Sequence, residues 1–294
     1  MKKKFIAITF LVLITFGMIG CGKNQVLKKE NVNETNQEQA TENKETTEEQ
    51  KENTNNNTEE QSQSQIDYIN IAPEEVKIPI LMYHSISDED PSNNLLVPPA
   101  MFEEQMAWLE ANNFTAMNMD EALEAMRTGK VPKRPVVITF DDGYANNYTS
   151  AFPSLKNHKL KATFFVITDG VDNGYYMSSD NLKEMQEAGM SIENHTANHL
   201  ELNNLSKTDA YESIKRAQDY LRNVIGSDGN YLCYPVGKYN DETIQIEEEL
   251  GIKAAVTTQG GFASINDGLH TLKRVRISPM SIEGFASIFS EYIN

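Results

Sequence analysis

From residue 136 to its C-terminus the chain alternates short apolar runs with longer segments whose apolar residues recur every three or four positions. The first kind reads as buried strand and the second as amphipathic helix. The spacing predicts strands over 136–140, 162–167, 190–194, 231–234, 253–257 and 271–277. Helices fall between and after them, over about 147–157, 179–188, 206–225, 240–250 and 281–291. Upstream, 77–83 reads as a first strand, and 101–112 and 119–127 as two helices, the first with Phe102, Met106 and Leu109 on one face. Gly189 and Gly251 stand where helix C-caps belong. Strands alternating with helices imply a parallel sheet with crossover connections, an α/β fold. Periodicity alone does not separate a closed barrel from an open doubly wound sheet.

Two segments precede this region. Lys2-Lys3-Lys4 is followed by an uncharged run from Phe5 to Ile19 and then by Gly20 and Cys21. A basic start, a short apolar core and a small residue before the cut describe a signal peptide. Met18-Ile19-Gly20-Cys21 resembles a bacterial lipobox, which implies a lipidated Cys21 as mature N-terminus, an exported chain, and anchoring to the outer face of the cell membrane by hydrocarbon burial. From Gly22 to Gln65 there are ten Glu, five Lys and no aromatic residue. Such a segment buries too little surface to offset ordering entropy, so 22–65 is expected to be a disordered tether. Residues 66–294 suit one domain of barrel size. A formal net charge of −17 argues against nucleic-acid binding. If Cys21 carries lipid, Cys233 is alone and no disulfide supports the domain. No protein partner is evident.

The chemistry concentrates in two motifs. Thr139-Phe140-Asp141-Asp142-Gly143 follows the apolar run 135–138, so a buried strand delivers two carboxylates at its C-terminal end, where α/β folds place their sites. His195-Thr196-Ala197-Asn198-His199 can present two imidazoles to one point. Two His and one Asp form a ligand set with open positions, which describes a catalytic metal centre and not a closed structural one. The other Asp remains for proton transfer. Each motif alone has a plainer explanation, since Asp and Gly suit turns, but the two together support a metal-assisted hydrolase. On residue type alone, the roles of Asp141 and Asp142 can be exchanged.

TFDDG followed by HTANH resembles the polysaccharide deacetylase (NodB-homology) family, also called carbohydrate esterase family 4. Ala162-Thr163-Phe164-Phe165-Val166 resembles that family's next strand, and Tyr234-Pro235-Val236-Gly237 the end of its third motif, R-x-P-x-G. The likeness runs from about Ile78 to the C-terminus. It implies a distorted (β/α) barrel of fewer than eight units, with a groove open to a polymer. It further implies removal of N-acetyl groups from an N-acetylglucosamine polysaccharide. By the family's pattern Asp142, His195 and His199 hold a divalent ion, most simply zinc, and Asp141 is the general base. The backbone N–H of Val236 helps bind the oxyanion, and Tyr234 and Pro235 border the substrate. The same centre could instead remove O-acetyl groups from a xylan-like polymer. The fold could also persist in a non-catalytic glycan-binding lipoprotein.

The chain departs from the pattern. Cys233 stands where the family has Arg, so another group must orient Asp141. Arg274 and Arg276 share one face of the strand at 271–277, and Arg276 is the expected partner. No Asp-rich fourth motif with Trp is present, and Trp108, on an early helix, is expected in the core. His270 precedes the last strand instead of ending it, which leaves the fifth motif unassigned. His84 would face the site if the first strand is parallel to the others. Tyr83-His84 there resembles the branch of the family acting on partly β-1,6-linked poly-N-acetylglucosamine. His158 is expected to be solvated at a helix end, and Cys233 to be a buried small hydrophobe.

Overall fold

The computed structural model describes residues 66–293. The expected signal peptide, lipidated Cys21 and tether 22–65 lie outside these described residues. Strand β1 (Tyr68–Asn70) leads to β2 (Ile80–Tyr83), followed by the short pair β3 (Ser85–Ile86) and β4 (Leu96–Val97). Helix α1 (Pro99–Ala111), β5 (Thr115–Met117) and α2 (Met119–Thr128) come next, then β6 (Lys130–Pro132), which pairs antiparallel with β1. From β7 (Pro135–Phe140) the expected alternation holds. A π-helical turn at Asn147–Ala151 runs into α3 (Phe152–Asn157), and β8 (Thr163–Val166), α4 (Ser179–Glu187) and β9 (Ser191–Asn194) follow. Then come α5 (Lys207–Ile225), β10 (Tyr231–Cys233), α6 (Asp241–Leu250), β11 (Ala254–Gly260) and β12 (Leu272–Arg276), before α7 (Ile282–Ile288) and α8 (Ser290–Ile293).

Seven strands close a parallel barrel in the order β2-β12-β11-β10-β9-β8-β7. The ring is shut by β2 on β7, with Ile80 opposite Val137 and Tyr83 opposite Phe140. Closure decides between the two architectures that periodicity left open, and the barrel is one strand short of the eight-strand form. Strand β5 pairs with the start of β7 on the edge whose far end belongs to β8. Side chains alternate between two apolar layers. Ile80, Val137, Phe165, Cys233, Val256 and Leu272 pack together with Met119 and Met126 of α2. Leu81, Tyr83, Ile138, Phe140 and Phe164 instead meet Phe102 and Met106 of α1. Burying a large apolar side chain of this kind contributes about 1.5–3 kcal/mol.

Local chemistry explains the element ends. Asn118, Ser178 and Asn240 open α2, α4 and α6 as capping boxes. Pro79 has no N–H to donate, and the expected strand 77–83 becomes regular only at Ile80. Pro153 cannot bond back to Thr149, and the expected helix over 147–157 accordingly opens with a π-turn before α3. Trp108 packs among Phe114, Phe285 and Phe289, with ring centroids 5.4–5.8 Å apart, as a core residue should.

His158 and Glu193 are among the buried titratable groups outside the motifs. His158 is not solvated: it is buried, with Nδ1 2.6 Å from Glu110 and Nε2 2.8 Å from Glu103. Burial works against its charge, yet the two glutamates outweigh this and raise its pKa. Glu193 on β9 accepts the Ser191 hydroxyl at 2.8 Å and the Tyr231 N–H at 3.1 Å, but burial dominates and its carboxyl is pushed up to about 7. Between the ordinary 4.5 and about 7 the folded protein therefore holds a proton that the unfolded chain has lost. Stability must fall as pH rises through that window. Glu193→Gln removes this titration. The variant is expected to match wild type at pH 5 and to exceed it by about 2–3 kcal/mol at pH 8, read from denaturant melts; a difference independent of pH would assign the proton elsewhere.

Candidate active site

The functional groups gather at the C-terminal mouth of the barrel. After β7 the backbone turns sharply, with Asp142 at φ 72° and Gly143 at φ 82°. A Cβ at Gly143 would lie 3.1 Å from Val166, so glycine lets this turn press against β8. The turn sends the two carboxylates apart. Asp142 Oδ1 lies 3.2 Å from His195 Nε2 and 3.3 Å from His199 Nε2. One ligand atom from each of the three residues falls within 4.8 Å of the others. His195 Nδ1 is 2.7 Å from the Cys233 carbonyl, which makes Nδ1 the protonated nitrogen and aims the Nε2 lone pair at the centre. Burial, then the neighbouring His195, lowers the pKa of His199, so its ring is neutral, the form that ligates metals. Burial opposes charge at His195, but the Asp142 carboxylate beside it pulls its pKa up, so the centre as built favours positive charge. The donor set thus fits a divalent cation, and His199, with a side chain 34% exposed, marks an open side.

Asp141 points into the barrel. Its Oδ1 and Oδ2 accept Arg274 Nη1 and Nη2, each at 2.7 Å. Arg274 also donates from Nη1 to Thr139 Oγ1 at 3.1 Å, from Nε to the Thr257 carbonyl at 2.9 Å and from Nη2 to Cys233 Sγ at 3.3 Å. All five guanidinium N–H groups are thereby satisfied in a fully buried setting. Burial opposes ionisation of Asp141, yet the Arg274 charge and its hydrogen bonds hold the carboxyl well below the usual range. Arg274, not the expected Arg276, is the partner. Both alternate to the same face, but Arg276 sits one step higher, opposite Met82 at the rim, where it is exposed. Asp141, His195 and Cys233 also lie close enough for a metal, but Arg274 Nη2 already bridges Asp141 and Cys233.

A polysaccharide deacetylase family model matches residues 128–255. The protein YxkH of Bacillus subtilis, which is named for that family, is 40% identical over 218 residues, 74% of this chain and 76% of its own length. The chain belongs to the polysaccharide deacetylase family. The Staphylococcus epidermidis poly-β-1,6-N-acetyl-D-glucosamine N-deacetylase is 28% identical, covering 69% of this chain and 80% of that protein. Among solved structures, the Streptococcus pyogenes deacetylase PplD in complex with acetate superposes with a TM-score of 0.70 at 36% identity, covering 73% of this chain and 99% of that one. The protein is therefore a polysaccharide deacetylase, a hydrolase, on a seven-stranded (β/α) barrel.

The remaining expected residues of the deacetylase divide. Strand β2 is parallel to its neighbours, and His84 at its end brings Nε2 to 3.8 Å from Asp141 Oδ2. Burial lowers its pKa against the pull of Asp141 and Asp142. Val236 lies at the centre of the tight turn Pro235–Gly237, exposed and at φ 56°, a strained conformation for a β-branched residue. The N–H groups of Gly237 and Lys238 are tied to the Tyr234 and Pro235 carbonyls. Tyr234 and Pro235 are both buried and cannot border substrate through their side chains. The Tyr234 hydroxyl instead donates to the His270 carbonyl at 2.8 Å while its ring stacks on Tyr239. His270 pairs with buried Glu247 at 2.6 Å and takes no part in the centre. Asp142, Thr196, His199 and Val236 all have positive φ; strain of about 1–3 kcal/mol at each such position marks a site held for geometry. Tyr144, whose raised pKa owes first to burial and then to the adjacent Asp142 charge, was not read as a site residue. Its place directly after Gly143 was the available signal.

Proposed function

We propose that this deacetylase is a metal-dependent enzyme that removes N-acetyl groups from an N-acetylglucosamine polysaccharide, and that lipid on Cys21 holds it at the outer face of the cell membrane. One observation carries the reading: two imidazoles and Asp142 converge on a point beside a second carboxylate, Asp141, which Arg274 keeps ionised and separate. Asp142, His195 and His199 would hold the ion, most simply zinc. Bound there, it supplies Lewis acidity, polarising the acetyl carbonyl and lowering the pKa of water toward about 7. Asp141 then takes the proton of the attacking water as general base. His84, on the adjacent strand and 3.8 Å from Asp141, would relay to the departing amine the proton that Asp141 takes from water. The Val236 N–H donates to the developing oxyanion, a contribution of about 2.7–4 kcal/mol for a positioned donor.

The N-acetylglucosamine substrate is supported by the Staphylococcus epidermidis relative's name and by the Tyr83-His84 end of β2. The anchor is supported by residues 18–21, with 22–65 as spacer; a Cys21→Ser chain that still partitions with membranes would refute it. The central experiment pairs metal analysis with acetate release from N-acetylglucosamine oligomers and from acetylated xylan. Acetate from xylan alone would replace the N-deacetylase reading by an esterase one. In the same measurement, His199→Ala is expected to lower the metal:protein ratio, and an unchanged ratio would remove His199 from the ligand set.

A further inference from the structure

Three tyrosines stand on the rim of the centre, and no step above employs them as a group. Tyr144 follows Gly143 after β7, and Tyr175 and Tyr176 lie on the connection from β8 to α4. The Tyr144 and Tyr176 rings stack at 5.6 Å and 16°. Tyr175 stands across both, at 89° to Tyr144 and 86° to Tyr176, with centroids 5.5 and 5.1 Å away. It is 65% exposed, more than any other large apolar side chain among the described residues.

Exposure of a ring on a loose loop would mean little, but this loop is tightly built. Tyr144 and Tyr176 form an antiparallel bridge, and the Ala145 N–H donates to the Tyr175 carbonyl at 3.0 Å. Asn173 Oδ1 accepts the N–H groups of both Tyr175 and Tyr176, at 2.9 and 3.2 Å. A Cβ at Gly170 would lie 2.5 Å from the Tyr176 ring, so glycine is required beneath the cluster. The segment therefore fixes a ring in water, at a cost in unburied apolar surface, on the side of the mouth where Tyr144 follows Asp142 and Gly143. Two more exposed apolar side chains lie on the same rim: Leu200, next to His199, and Val236. Exposed apolar side chains set around a reaction centre mark a binding surface.

Pyranose rings carry their hydroxyls at the edge and present C–H faces that lie flat on an aromatic ring. We propose that Tyr175, seated on Tyr144 and Tyr176, is a subsite for the sugar unit adjoining the one that bears the scissile acetamide. This rests on the N-deacetylase reading above. It makes Tyr175 a determinant of chain-length preference.

The test is steady-state kinetics of the purified full chain on trimers and pentamers of N-acetylglucosamine. Tyr175→Ala is expected to raise KM for the pentamer about tenfold, with kcat changed less than about twofold, and to erase the KM advantage of pentamer over trimer. Tyr175→Trp should restore the wild-type KM. Tyr68→Ala, removing an exposed tyrosine at the opposite end of the barrel, should leave KM where it is. An unchanged pentamer KM in active Tyr175→Ala, a loss of kcat equal to the loss in KM, or no rescue by Trp would overturn the subsite. Wild-type protein that releases no acetate from either oligomer would overturn the N-deacetylase reading and the subsite with it, an outcome distinct from an active variant with unchanged KM.

Discussion

Asp141→Asn is expected to lower kcat by about 10²–10⁴-fold, the usual contribution of a positioned general base, with metal content at the wild-type ratio. The carboxylate lies among Arg274, His84 and the convergent imidazoles, and of the two carboxylates at the mouth it is the one left off the ligand set. Arg274 keeps it charged throughout the neutral range. The asparagine has the same shape and can still accept one guanidinium N–H, while Asp142, His195 and His199 keep their positions. Metal binding and proton abstraction are thus separable by one atom. Atomic absorption on the purified variant checks the first, and acetate release checks the second. A variant that keeps most of its turnover would pass the base to another group.

The barrel strands were legible because parallel strands covered on both faces read as continuous apolar runs. The six buried residues of β7 and the four of β8 are such runs. The short strands β1 and β3 to β6, of two or three residues each, carry no period and were missed. Closure was not legible either, because pairing of Ile80 with Val137 depends on register between distant segments. The same limit applied inside the site. Alternation told that Arg274 and Arg276 share a face, but not which stands level with Asp141, since two residues along a strand differ by about 6–7 Å in height. Tyr234 matched the third motif by text, yet its ring turns away from the mouth to stack on Tyr239. His158 was misread because its partners, Glu110 and Glu103, come from α1, 48 and 55 residues away.

The relocated arginine leads to the largest expected effect on stability. Cys233, small and fully buried, occupies the position where the family has arginine, and the guanidinium of Arg274 reaches the same carboxylate from β12, resting against the Cys233 sulfur. Burial pushes the thiol pKa up, so Cys233 stays neutral and offers no competing charge. Arg274→Met would leave the Asp141 carboxylate in a dry interior with its cation gone, a change expected to cost about 3–5 kcal/mol. Turnover should fall as well, because a stranded carboxylate regains a proton. Combining it with Asp141→Asn removes the stranded charge. The double variant is therefore expected to be more stable than Arg274→Met alone, although it carries one more substitution. Denaturant melts of the wild type, both single variants and the double variant close this cycle. Additive losses would mean that the two side chains do not act as a unit, and the pairing would then not be what holds the base in place.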